Sequence, residues 1–208
     1  MATLAQVDLT RDGALFGLPM PLTLRTPVAM SDEELIAFSR RNRPFRIERN
    51  AEGELEIMSP LNSKGGYSEM FVGSRLFEWS ETHGGLVFSS SAGFTLPDNS
   101  VRSPDASWLS DDRWNALTDA QQRGFAPACP EFLVEILSES DSRARLEEKM
   151  EMWIANGAKL AWMIDPLAAE IIIYRPERET ERLVRPEWIE ADAVVPGFRL
   201  ETSRLWAK

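Results

Sequence analysis

The sequence predicts a chain of the α+β or α/β class, a mixed β-sheet flanked by helices, preceded by an N-terminal arm and an antiparallel hairpin. Two apolar runs, Phe132–Leu137 and Leu160–Ile164, enclose a capped helical segment, the strand-helix-strand order of a right-handed parallel crossover. Phe45–Glu48 and Glu54–Met58 alternate apolar and polar residues around Asn50-Ala-Glu-Gly53, the pattern of a hairpin with Gly53 supplying the positive φ. Hydrophobic residues make up 43% of 208 residues, enough for one sizeable core.

The elements follow in order. Residues 1–30 carry Pro19, Pro21 and Pro27 among scattered apolar residues and suit an extended arm, leaving residues 31–208 as a single domain. Ser31 and Glu34 have capping-box spacing, so a helix runs from there to about Arg41, before Pro44. After the hairpin, a loop with Gly65-Gly66 leads into a helix over Tyr67–His83, with Val72, Leu76 and Trp79 on one stripe and Gly84-Gly85 as its stop. Leu86–Ser90, Gly93–Leu96 and Val101–Leu109 read as a meander of short strands. Ser110 caps a helix through Trp114, and Asp141 or Ser142 caps another that ends at Asn156-Gly157. Ile171–Tyr174, Arg182–Arg185 and Val194–Leu200 read as later, more peripheral strands.

Thirty-three acidic against 23 basic residues give a net charge of −10, which excludes nucleic-acid binding by bulk charge and requires local basic patches instead. One cysteine, Cys129, and one histidine, His83, exclude a disulfide scaffold and a zinc finger. No leader pattern and no stretch near ~20 apolar residues is found, so a soluble, cytoplasmic protein with no membrane partner is expected.

Ionisable residues on faces that packing wants apolar are the informative ones, because an unpaired buried charge costs several kcal/mol. The period of two puts Glu135 on the face of Leu133 and Leu137. Asp105 follows Pro104 inside a strand-like run, where an edge or bulge re-aims the next side chain. Lys149 stands between Leu146 and Trp153 on the core stripe of its helix. Glu69 aligns with Val72 and Leu76 in the first turns of its helix, where the macrodipole favours an anion. Converging in one pocket, these side chains suit a hard divalent cation, Mg2+ or Mn2+. Taken singly they have simpler readings: Glu135 paired in the core with Arg143 or Arg145, Asp105 a turn residue, Lys149 a snorkelling side chain, Glu69 a helix N-terminal acid.

Pro104-Asp105, followed by a strand bearing Glu135, resembles the PD-(D/E)XK nuclease signature. Ser103-Pro-Asp-Ala-Ser-Trp108, Phe125-Ala-Pro-Ala-Cys-Pro130, Phe132-Leu-Val-Glu-Ile-Leu-Ser138, Lys149, Asn156-Gly157 and Trp162-Met-Ile-Asp-Pro166 more closely resemble the Uma-two family of restriction-endonuclease-like proteins, over roughly residues 30 to 200. The resemblance implies a restriction-endonuclease-like fold and a magnesium-dependent endonuclease acting on DNA. It implies Asp105 and Glu135 as metal ligands, Lys149 as the water-orienting lysine displaced from the strand, where Leu137 stands, and Glu69 as an auxiliary carboxylate. With the hydrophobic terminal segments it also implies a homodimer. Arg145 departs from the pattern, since many members are acidic four residues before the lysine.

Arg40, Arg41, Arg43, Arg46 and Arg49 are the candidate phosphate contacts, although Arg40 and Arg41 also suit a helix C-terminus. Seven tryptophans and the acid-rich strands leave a carboxylate-pair glycosidase or sugar-binding module as a rival. A nuclease-fold protein that binds or assembles without cleaving is the other.

Overall fold

The computed structural model describes residues 21–139, 141–191 and 193–206. The first twenty residues of the expected arm lie outside the described residues. The chain forms β1 (Leu22–Leu24), α1 (Asp32–Arg41), β2 (Arg46–Arg49), β3 (Leu55–Met58), α2 (Ser63–His83) and β4 (Leu86–Ser89). It continues through β5 (Phe94–Thr95), β6 (Val101–Arg102), β7 (Ala106–Leu109), α3 (Asp111–Asn115), α4 (Asp119–Arg123) and β8 (Phe132–Ile136). It ends with α5 (Arg143–Ala155), β9 (Leu160–Asp165), β10 (Glu170–Tyr174), β11 (Glu181–Val184), β12 (Trp188–Glu190) and β13 (Arg199–Glu201).

The main sheet has the order β11-β10-β9-β8-β7-β4. Its two central strands, β8 and β9, are parallel and joined through α5, as the apolar runs predict. Period-two alternation divides their side chains cleanly. Phe132, Val134, Leu160, Trp162, Ile164, Ile171 and Ile173 pack with Val72 and Leu76 of α2 and with Phe198 and Leu200. Leu133, Ala161, Met163 and Ile172 pack on the opposite face with Met150 and Trp153 of α5. Glu135 continues the Leu133 row and so points to the α5 side, inside a layer where each buried aliphatic side chain contributes roughly 1.5–3 kcal/mol.

A second, five-stranded sheet has the order β1-β3-β2-β6-β5. Ile47, Leu55, Ile57 and Val101 of this sheet cover Leu35 and Phe38 of α1. The period of two therefore turns Arg46, Glu48 and Glu56 to the other face, toward the site described below. The capping box of α1 is present in full, with Ser31 and Glu34 exchanging bonds. Gly53 takes φ +81° in the hairpin turn, and residues 22–24, expected as part of the arm, add β1 to β3 as an edge strand.

Several expectations are corrected. Asn62 caps α2 by accepting from Gly65 N–H at 2.8 Å, so the helix begins before Gly65-Gly66, which are helical and not loop. The predicted meander is absent, because β5 and β6 join the five-stranded sheet while β4 and β7 pair in the main one. Val101–Leu109 is divided at Ser103-Pro104. Proline has no N–H to continue a ladder, and there the chain passes from one sheet to the other. Val194–Leu200 is not one strand, since Pro196 and Gly197, at φ +78°, turn the chain and only Arg199–Glu201 pairs with β12. β10 and β11 do lie outward of β9, as expected of more peripheral strands, with β11 at the edge and β10 buried at every position. The unpredicted α4 has a Thr118–Gln121 capping box but buries no side chain, hence no apolar stripe announced it.

Candidate active site

Where the two sheets meet, adjacent strands bring the first two carboxylates together. Ala106 pairs with Val134 in the antiparallel β7–β8 register, and extending that register by one residue sets Asp105 across from Glu135. Ile136 N–H donates to Asp105 Oδ2 at 2.8 Å, locking the pair of strand ends. Asp105 and Glu135 are both buried.

Lys149 reaches the site from α5. Its ammonium lies 2.9 Å from Glu135 Oε1 and 3.3 Å from Glu48 Oε1. Trp153, one turn along α5, donates from Nε1 to the same Glu135 oxygen at 2.8 Å. Glu69 comes from the second turn of α2, beyond the first turn where the macrodipole acts most strongly. Its partners are Arg46 Nη2 at 3.0 Å and Ser90 Oγ at 2.7 Å. Asp105, Glu135, Lys149 and Glu69 are thus brought into one neighbourhood, Lys149 binding Glu135 directly and Arg46 bridging Asp105 and Glu69.

Three further charged residues complete the cluster. Arg46 donates from Nη1 and Nη2 to Asp105 Oδ1 at 3.0 and 3.2 Å. Arg102 pairs with Glu48 Oε2 at 3.1 Å and with Glu56. Ser103 N–H donates to Glu48 Oε1 at 3.1 Å. Sequence reasoning missed Glu48 and Arg102, and took Arg46 for part of a phosphate track. The available signal was Arg46 and Glu48 at i and i+2 on one strand face, but a charged hairpin face ordinarily means solvent.

The electrostatics separate the carboxylates. Burial pushes Asp105 up to about 7; Arg46 opposes the rise and the Glu69 charge adds to it. Burial likewise pushes Glu135 up to about 7, with Lys149 opposing and Asp105 and Glu48 adding. Glu48 is equally buried, but Lys149, Arg102 and Arg46 overcome the desolvation and bring it down to about 2. Burial disfavours the Lys149 charge, yet Glu135 and Glu48 raise its pKa above the usual lysine value. Arg46 and Arg102 are raised in the same manner against the cost of burial.

Apart from Glu69, the cluster lines a cleft of about 760 Å³, whose walls include Met58, Pro60, Asn62, Ser142 and Arg145. No aromatic side chain lines it among the described residues. The simpler pairing expected for Glu135 is corrected: Arg143 instead binds Glu147, Asp165 and Glu170, and Arg145 opens on the cleft. The five-arginine cluster does not form one track either. Arg46 is held by site carboxylates, while buried Arg49 binds Asp32, Met30 O and Asn99 O. Arg40, Arg41 and Arg43 are exposed at the end of α1.

Asp105 and Glu135 supply hard oxygen donors whose negative charge burial disfavours, a cost that a hard dication bound by both would relieve. Among the described residues no group of three or more His, Cys, Asp or Glu side chains is arranged to hold a metal ion. A cation held here would have two protein carboxylates and would take its other ligands from water and substrate, the usual habit of magnesium. Among the described residues no helix is long and apolar enough to cross a membrane.

The chain is similar to a protein of known crystal structure described as a "putative nuclease belonging to DUF820" from Anabaena variabilis ATCC 29413. The two share 20% identity over 77% of this chain and 89% of that chain, with a TM-score of 0.65, a likeness of fold. No curated protein matches the sequence. The Uma2 family, described as "Putative restriction endonuclease", matches residues 32–203, most of the chain including every residue of the cluster, and the protein belongs to that family.

Proposed function

We propose that the protein is a Mg2+- or Mn2+-dependent endonuclease that hydrolyses DNA phosphodiester bonds. In this reading Asp105 and Glu135 hold the metal, Lys149 orients the attacking water, and Glu69 is an auxiliary carboxylate. One observation carries it: two buried carboxylates on neighbouring strands, both raised to about 7, face a cleft beside a lysine from the following helix.

When bound, the cation supplies charge for the phosphoryl oxygens and acidifies water. Asp105 is fixed through Oδ2 by Ile136 N–H, and its other oxygen accepts from Arg46. Glu135 is oriented by Trp153 Nε1 and paired with Lys149. The Lys149 ammonium would hold a water for in-line attack on phosphorus and offset the charge that accumulates there. No covalent enzyme intermediate is needed. Arg145 on the cleft wall and exposed Arg40, Arg41 and Arg43 offer phosphate contacts to an otherwise acidic chain. A homodimer belongs to the same reading and is tested by sedimentation equilibrium.

The sugar-directed rival loses support because its stacking platform is missing. Trp108, Trp153 and Trp162 are buried in the core, and the cleft is free of aromatic rings among the described residues. Incubation of supercoiled plasmid with wild type, Asp105→Asn and Glu135→Gln tests the proposal. Nicking in Mg2+ or Mn2+, with none in EDTA or in either variant, is expected. Cleavage that persists in EDTA or in the variants refutes the assignment, and DNA left intact by wild type in both metals favours a nuclease fold that binds without cutting.

A further inference from the structure

Arg46 occupies the position that a metal would contest. Both its terminal nitrogens donate to Asp105 Oδ1, at 3.0 and 3.2 Å, and Nη2 also donates to Glu69 Oε1 at 3.0 Å. The remaining Asp105 oxygen accepts from Ile136 N–H, and the remaining Glu69 oxygen accepts from Ser90 Oγ. Every oxygen of these two carboxylates therefore already has a protein donor. A dication using Asp105 Oδ1 would face a guanidinium on the same atom, and like charges so close in a poorly solvated site repel strongly.

Lys149 presents no equal obstacle. It meets Glu135 through Oε1 alone, and Glu48 keeps Arg102 and Ser103 N–H whether or not Lys149 moves. Arg46, by contrast, is about a quarter exposed and lines the cleft, so its guanidinium has room to withdraw toward solvent while its stem stays on β2.

We infer that Arg46 is an internal counter-cation that holds Asp105 and Glu69 together and must release Asp105 before a divalent ion takes that oxygen. It is a positioning residue, and it sets metal affinity by competition. The inference rests on the metal-dependent reading above and adds to it the group that regulates metal entry. It also accounts for a site whose acids have cationic partners without any ion: Glu48, Glu69, Asp105 and Glu135 are met by Arg46, Arg102 and Lys149.

Calorimetric titration of Mn2+ into metal-free protein, with no DNA present, provides the test. Arg46→Gln keeps a polar side chain but removes the competing charge, and it should bind Mn2+ at least tenfold more tightly than wild type. Arg46→Lys keeps the charge but loses the fork, and should fall between the two. It also serves if Arg46→Gln fails to fold, since a threefold or greater gain in Arg46→Lys carries the same conclusion. A merely structural arginine would give weaker binding in both variants. Affinity unchanged or reduced in both, while wild-type binding is lost in Asp105→Asn, overturns the counter-cation role and leaves the metal site standing. Absence of Mn2+ binding in wild type and variants alike overturns both readings.

Discussion

Lys149 Nζ lies 3.3 Å from Glu48 Oε1, tying α5 to a strand 101 residues earlier in the chain. The same ammonium lies 2.9 Å from Glu135, so one cation serves two buried carboxylates. Which of them stays charged is decided by the other neighbours. Glu48 also has Arg102 and falls to about 2, whereas Glu135 has no arginine at ion-pair distance among the described residues and rises to about 7. The division leaves one permanent anion to keep Lys149 charged and one carboxylate disfavoured as an anion beside it.

Glu48→Gln should therefore destabilise the protein strongly, because it leaves Arg102 and Lys149 short of a buried partner. A loss of about 3 kcal/mol in urea unfolding at pH 7 is expected. A loss below ~0.5 kcal/mol would mean that solvent or Glu56 replaces Glu48 without cost.

The pH dependence follows from carboxylates raised by folding. Asp105 and Glu135 titrate near 4 when unfolded and about 7 when folded, so the native state binds more protons between those values. Their contribution is fully present below about pH 4 and is lost as the pH rises through 7, while Glu48 acts oppositely below about 4. Metal-free protein should lose on the order of 5 kcal/mol from this pair between pH 5 and 8. Mg2+ should reduce the loss. Asp105→Asn should flatten the metal-free profile, and thermal unfolding across that range would expose a profile that stays equally steep.

Lys149→Met keeps the stem and removes the ammonium. If the proposed role holds, metal-stimulated cleavage should fall by roughly a hundredfold or more while Mn2+ still binds. Single-turnover rates at saturating metal make the comparison, and rates equal to wild type would remove Lys149 from the chemistry.

Trp153→Phe deletes the indole N–H that donates to Glu135 at 2.8 Å but keeps most of the ring in the core. About 1–2 kcal/mol of stability should be lost, and the Glu135 pKa should rise further, because a bond to the charged form is gone. Carboxyl titration by NMR would show an unmoved Glu135 if the indole bond has no influence.

Gly85→Ala probes the wall behind α2. The glycine sits at φ +78°, and an added Cβ would lie 2.1 Å from Trp108 Nε1, whose N–H is already bonded to Gly84 O. A loss of about 3 kcal/mol or more is expected from the forced displacement and the strained φ. A melting temperature within ~2 °C of wild type would show that Trp108 gives way freely.

The local rules were legible in the sequence. The Ser31 capping box, the Gly53 turn, the stop at Gly84 and the alternation that buries Glu135 depend only on neighbours within a few residues. The all-apolar run Leu160–Ile164 also announced a strand covered on both faces, and it lies at the centre of the sheet. Pro104 announced a break but not its meaning, because whether a strand ends or changes sheet depends on partners far along the chain.

By itself, then, the sequence determined that Asp105, Glu135, Lys149 and Glu69 sit where packing disfavours charge. Only the tertiary structure decided what surrounds them. Arg46, Glu48 and Arg102 lie on strand faces that read as solvated, and they become part of the site because two sheets converge there and α5 covers the gap. The physical reason is range: hydrophobic periodicity is written into each segment, whereas the partner of a buried charge is fixed by contacts between segments up to 101 residues apart.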